Sequence, residues 1–277
     1  MKELTKIGHL LYGGGIVALG VHQLIIQKFR SEILAPFPAW VHGNSIFAIL
    51  TGITLILTGI IISGLFKINF VTVKKTCLYL GFSFLAAVLL SHLPYILFFS
   101  PVKAAGPEIW INAIEELAYS GGAFVMAGSY SENGLTKTEK SFFTLLLEKL
   151  IPCGRIFYSL LILLFGFSHF LFTDFLSTMV PKWLPAPIFW TYFTGAALIV
   201  SGISIIFKIG IKPIAFLLAV MLLFFFAFFH VPDAIANPSV GGGNEIVRGI
   251  IALLFCGIAL VIALTNGRDR LGLQGGE

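Results

Sequence analysis

Eight long apolar stretches dominate this chain and fix what it can fold into. They run approximately over Ile7–Ile26, Ser45–Phe66, Thr76–Phe99, Ile109–Tyr130, Pro152–Thr173, Pro187–Phe207, Ile211–His230 and Glu245–Thr265. A helix needs about 20 mostly apolar residues to cross a bilayer, and each stretch meets that length. Inside lipid the backbone N–H and C=O groups have no water to bond, so each crossing must be helical. A β-barrel would need segments of about ten residues with alternating character, and these runs are long and continuous. The expected fold is therefore all-α: a polytopic membrane protein of about eight transmembrane helices. Composition agrees, because only 11% of residues are charged while 57% are hydrophobic. Soluble domains carry about 25% charged residues, and a soluble core of this size would lack a shell.

The net charge of +5 does not point to nucleic acid. Lys and Arg sit in short connections between apolar runs, where they report orientation. With the first residues placed inside, 13 of the 18 basic residues fall on the inner side and 5 on the outer. That bias puts both termini in the cytoplasm, and with it the expected location is a bacterial inner membrane. Trp40, Trp110, Trp183 and Trp190 then all lie at the outer boundary, the level an indole ring prefers. Cys77, Cys153 and Cys256 form no C-x-x-C pair and read as small buried thiols.

The chain repeats itself. Gly20-Val21-His22-Gln23 and Phe167-Ser168-His169-Phe170 end the first and fifth segments. Thr51-Gly52 with Thr58-Gly59 matches Thr194-Gly195 with Ser201-Gly202 at the same seven-residue spacing. His92-Leu93-Pro94 matches His230-Val231-Pro232, and Asn112-Ala113-Ile114 matches Asn244-Glu245-Ile246. The order is preserved, which implies a duplication and argues against cleavage of the first segment as a signal peptide. Four helices per copy make the repeats parallel, two four-helix bundles entering from the same side. The expected organisation is a first repeat over 1–130, a linker over 131–151, a second repeat over 152–265 and a polar tail over 266–277. Glu139–Ile151 in the linker is too short and too charged to span, and is expected to lie on the cytoplasmic surface.

Gly166-Phe167-Ser168-His169-Phe170, Val180-Pro181-Lys182-Trp183-Leu184-Pro185, the Thr194-Gly195 and Ser201-Gly202 pairs and His230-Val231-Pro232 together resemble the DoxX family of bacterial four-helix membrane proteins. The resemblance covers roughly Phe157 to Ala263, and the first half looks like a more divergent copy. It implies a four-helix fold and an accessory or redox-associated membrane subunit, with a quinone as the candidate cofactor and a membrane redox protein as the candidate partner. It specifies no reaction.

Chemistry can sit in one layer. His22, His92, His169 and His230 fall near the outer ends of their segments, with Asn112, Glu115 and Glu116 early in the fourth and Asp233, Glu245 and Arg248 at the matching depth of the second half. Carboxylates in a membrane usually face a polar interior. Of the neighbouring pair Glu115 and Glu116, one is expected to face the bundle and the other to reach headgroups or another helix. Glu245 and Arg248, at i and i+3, can pair. These residues either tie helix ends together or line a small-molecule, quinone or proton site. No i, i+4 histidine pair and no H-E-x-x-H string suggests a metal. Gly52, Gly59, Gly195 and Gly202 share helix faces and read as packing positions where backbones approach closely. Two other readings stand beside the redox subunit: a small-molecule transporter or channel, and a structural or assembly protein.

Overall fold

The structure is a computed structural model that describes residues 2–101, 107–130, 141–239 and 243–265. Helices account for all the regular structure there, and no strand occurs among the described residues. The long helices are α1 (Lys2–Ile26), α3 (Ser45–Ser63), α4 (Phe70–Ala87), α5 (Pro107–Gly128), α7 (Gly154–Leu171), α9 (Pro187–Phe207), α10 (Ile211–Phe225) and α12 (Asn244–Thr265). Short helices fill the connections: α2 (Ala39–His42), α6 (Phe142–Glu148), α8 (Thr173–Ser177) and α11 (Val231–Ala236).

Among the described residues, seven helical runs are long and apolar enough to cross a membrane. The eighth expected crossing, α5, has 22 residues, about 33 Å at 1.5 Å per residue. Asn112, Glu115 and Glu116 set it apart from the other seven, and the candidate site forms around them. Elsewhere large apolar side chains cover the outside, among them Ile46, Leu50, Ile53 and Leu57 on α3 and Phe189, Phe193 and Val200 on α9. A soluble monomer does not expose apolar surface on this scale; a bilayer covers it. The chain is thus an all-helical polytopic membrane protein.

Local sequence sets the helix ends. The Asn44 and Asn69 side chains accept the N–H groups of Ile46 and Val71 at 2.9 Å each, capping α3 and α4. Gly64 closes α3 with φ of 73°, a conformation that glycine adopts without Cβ strain. Inside the spans, Thr54, Thr58, Ser83 and Ser168 return their hydroxyls to carbonyls one turn earlier. That removes polar groups from lipid at little cost.

The residues fall into two compact units. A central unit comprises Gly13–Leu161; a terminal unit comprises residues 1–12 with 162–277. Helices α1 and α7 each contribute one half to either unit.

In the central unit α4 packs along α5, and glycines bring backbones together. A methyl on Gly13 would stand 2.5 Å from the Ser63 nitrogen and 2.6 Å from the Gly59 carbonyl. One on Gly20 would stand 2.6 Å from the Gly52 carbonyl, and one on Gly121 2.5 Å from the Gly154 carbonyl. Real Cβ atoms do not approach so closely, so these crossings require glycine. The α6 helix lies back on α4. Lys74, almost fully buried, reaches Glu148 at 2.8 Å, and the Tyr79 and Thr144 hydroxyls are 3.4 Å apart. A short 3-10 turn over Ile151–Cys153 leads from α6 into α7, so the two make one apolar run over Phe142–Leu171. Residues 131–140 of the expected linker, and the expected tail beyond Thr265, lie outside the described residues.

In the terminal unit α12 is the innermost helix, with 78% of its apolar window buried. A methyl on Gly257 would meet the Gly8 carbonyl at 2.7 Å, and one on Gly195 the Gly166 carbonyl at 3.1 Å. Gly202 is buried on α9.

Candidate functional site

The site in the central unit starts from a widened helical turn. After Ala87 the helix loosens into π-type turns over Val88–His92 and again over Tyr95–Phe99. Pro94 lies between them. Proline supplies no N–H and its ring crowds the carbonyl four residues back, and a π turn relieves that crowding with an extra residue. His92 ends the first widened turn and is only 2% exposed.

Helix α5 brings its acids to this point. Glu116 is fully buried, and its Oε2 lies 2.7 Å from His92 Nε2. That is the separation of a charge-assisted contact. The contact is one of proximity: neither Glu116 oxygen, nor His92 Nε2, completes a hydrogen bond. Glu115 is also buried and interacts with the Tyr119 hydroxyl, one turn along the same helix. Of the two expected destinations for the second acid, headgroups or another helix, the contact of Glu116 with His92 corresponds to another helix. Both turn inward: Glu116 meets His92 of the π turn that follows α4, and Glu115 lies near Tyr119 on α5.

A strap over residues 27–38 covers this end of the unit. Arg30 donates to both Glu32 oxygens, from Nε at 3.2 Å and from Nη2 at 3.1 Å. Glu32 lies close enough for its charge to act on His92 and Tyr119. The Ser91 hydroxyl, next to His92, donates to the Ala35 and Phe37 carbonyls and ties the strap down. Phe37 stacks on Phe99 at 4.4 Å and Phe29 on His42 at 6.2 Å. His42 lies outside the spans, and burial pulls its imidazole below the usual range.

Between strap and helices lies a partly open cavity of 140 Å³, lined by Ser31, Ala35, Pro36, His92, Tyr95, Ile96 and Asn112. An engineered cavity of about 150 Å³ holds a benzene ring, so this space suits one six-membered ring. Its walls are mixed. Ala35, Pro36 and Ile96 are apolar, while Ser31, Tyr95, His92 and Asn112 carry groups able to hydrogen-bond.

The remaining candidates are distributed differently. His22 is part-buried near the end of α1, next to the fully buried Gln23, whose amide donates to the Ala48 carbonyl at 2.8 Å. In the terminal unit the His169 ring nitrogen Nδ1 is 2.7 Å from the Phe165 carbonyl of its own helix. His230, at the end of the π turn Phe226–His230, lies 3.7 Å from Glu245. Glu245 is held by Arg248 at 2.5 Å, and Asp233 accepts from Asn237 at 2.7 Å. So His92, Glu115, Glu116 and Asn112 gather in one unit, while His230, Glu245, Arg248 and Asp233 gather in the other.

No group of three or more His, Cys, Asp or Glu side chains among the described residues is placed to hold a metal ion. Cys77, Cys153 and Cys256 are free thiols. Sequence reasoning missed Ser31, Glu32, Tyr95 and the Arg30 clasp. Their signal was present: Arg30-Ser31-Glu32 is a polar triplet that precedes Ala35-Pro36-Phe37-Pro38, a stretch too constrained to be an idle linker.

A family model described as a domain of unknown function (DUF8561) matches residues 158–250, about a third of the chain. No curated protein and no solved structure matches.

Proposed function

We propose that the protein is a redox-associated accessory subunit of the bacterial inner membrane, with both termini in the cytoplasm, that holds a small ring-bearing molecule of the quinone class in the central unit. The observation that carries this reading is the cavity itself. It has the volume of a single ring, apolar walls on one side, and His92, Asn112, Ser31 and Tyr95 on the other. A quinone headgroup is a flat ring with oxygens at opposite ends, and it needs that combination of walls. The orientation rests on the basic residues of the inner connections, and the DoxX resemblance supports an accessory role.

Internal duplication is part of the same proposal, and the packing supports it. The π turns Val88–His92 and Phe226–His230 occupy the same place before a proline. Ser120 donates to the Gly81 carbonyl, and Cys256 to the Ala219 carbonyl. Gly20 meets Gly52 as Gly166 meets Gly195, and Gly121 meets Gly154 as Gly257 meets Gly8. In this register Asn112 falls opposite Arg248, Glu115 opposite Ile251, Glu116 opposite Ala252 and Tyr119 opposite Phe255. The second copy therefore keeps the histidine and lacks the buried acids.

Titration of the purified protein in lipid nanodiscs with a short-chain quinone analogue tests the reading. Saturable quenching of Trp and Tyr fluorescence is expected, weakened at least about tenfold in Asn112→Leu, a loss of one good hydrogen bond. Arg248→Ala should leave it unchanged. Absence of saturable binding in the native protein would sink the proposal.

A further inference from the structure

The cavity is a gap between two stretches of chain. The strap supplies Ser31, Ala35 and Pro36, and the helical segments supply the rest, His92 and Tyr95 among them. The width of such a gap follows from whatever holds the strap against the helices. The Ser91 hydroxyl and the Phe37–Phe99 stack at 4.4 Å do so.

Ser91 joins the two walls directly. Its chain neighbour His92 belongs to one wall, and Ala35, whose carbonyl accepts from its hydroxyl at 3.4 Å, belongs to the other. The Phe37 carbonyl accepts as well. The residue is only 2% exposed. Other hydroxyls in the spans behave differently. Thr54, Thr58 and Ser83 each bond a carbonyl one turn earlier in their own helix, which satisfies a serine or threonine without any distant partner. Ser91 instead reaches carbonyls 54 and 56 positions away. Its own need for a partner does not account for that reach, whereas fixing the strap does.

We propose that Ser91 is the specificity-determining residue of the ring site: by holding the strap to the π turn it keeps the cavity at the width of one ring and excludes fused two-ring quinones. The cavity of 140 Å³ matches the roughly 150 Å³ that takes a benzene ring, and a fused second ring enlarges the rigid flat part that has to fit. Its partly open mouth lets a flexible chain trail out, but not a wider ring. Exclusion by a fixed wall discriminates without any added attraction to the accepted ligand. This inference rests on the ring-binding reading above and adds which class of quinone the site accepts.

The probes are duroquinone, with one ring, and menadione, with two fused rings. Each is titrated against full-length protein in nanodiscs by quenching of Trp and Tyr fluorescence, with empty nanodiscs subtracted. Native protein should bind duroquinone at least about tenfold more tightly than menadione. Ser91→Ala should bring the two within about threefold, mainly because menadione binds better. Ser91→Thr, which keeps the hydroxyl, should keep the native ratio. A hydroxyl that only stabilises the fold would weaken both probes alike and leave the ratio unchanged. Phe99→Leu loosens the second tie at an exposed position, and should shift the ratio the same way by a smaller factor; it reads the strap even if Ser91→Ala does not fold. Equal binding of the two probes by the native protein overturns the selectivity alone. A native ratio in Ser91→Ala, or in Phe99→Leu where Ser91→Ala does not fold, overturns the strap as its cause. No saturable binding of either probe overturns the ring-binding reading and this inference with it.

Discussion

The two units carry the same pair of residue types, histidine and glutamate, and handle them in opposite ways. In the central unit the His92 and Glu116 side chains are 3% and 1% exposed and meet with no cation between them. In the terminal unit His230 is 22% exposed, stands 3.7 Å from Glu245, and Glu245 is already neutralised by a half-exposed Arg248. A buried pair is costly to form and costlier to break, because removing one partner strands the other away from water. A wet pair with its own arginine contributes little either way. The difference is one of cost: the central unit holds a buried pair that packed apolar side chains would replace at no loss of stability, and the terminal unit does not.

The sharpest break of this comparison is His92→Leu. It should lower the unfolding free energy in detergent by about 3–5 kcal/mol, the cost of an orphaned buried acid. The double variant His92→Leu/Glu116→Leu should regain most of that loss, because a packed apolar pair replaces the ionisable one. If the double variant is no better than the single one, burial of charge is not what distinguishes the central unit.

Glycine crossings give the next largest effect. Gly121→Val should cost about 1–3 kcal/mol by overpacking against the Gly154 carbonyl. Gly14, with nothing within 4 Å of an added methyl, should instead gain about 0.5–1 kcal/mol when changed to Ala, from helix propensity. Thermal unfolding of both variants in one detergent measures the pair. The smallest effect belongs to the terminal unit. Arg248→Gln should change stability by less than about 1 kcal/mol. A larger loss there would mean that the second cluster is as costly to break as the first.

Much of this architecture was readable in advance. Apolar length specified the spans, since lipid leaves the backbone no choice but helix. The glycine pairs also stood out, because seven residues return to nearly the same face. The site was only half legible. Asn112 and Glu116 were visible as polar residues in an apolar run, but which of Glu115 and Glu116 meets α4 depends on the rotation of α5 by a single position. That rotation is set by Gly81 against Phe124 and Gly121 against Gly154, contacts between residues far apart in sequence.

The division of α1 has a consequence for how the protein is made. Its first turns belong with α12, Gly8 against Gly257, while the rest of it belongs with α3. Translation delivers Gly8 early and Gly257 late. The central unit can therefore close while the chain is still on the ribosome, whereas the opening turns of α1 wait in the bilayer for the final helix. In that order, a ribosome that stalls before α12 leaves a chain whose strap-covered cavity is complete and whose terminal unit lacks its innermost helix.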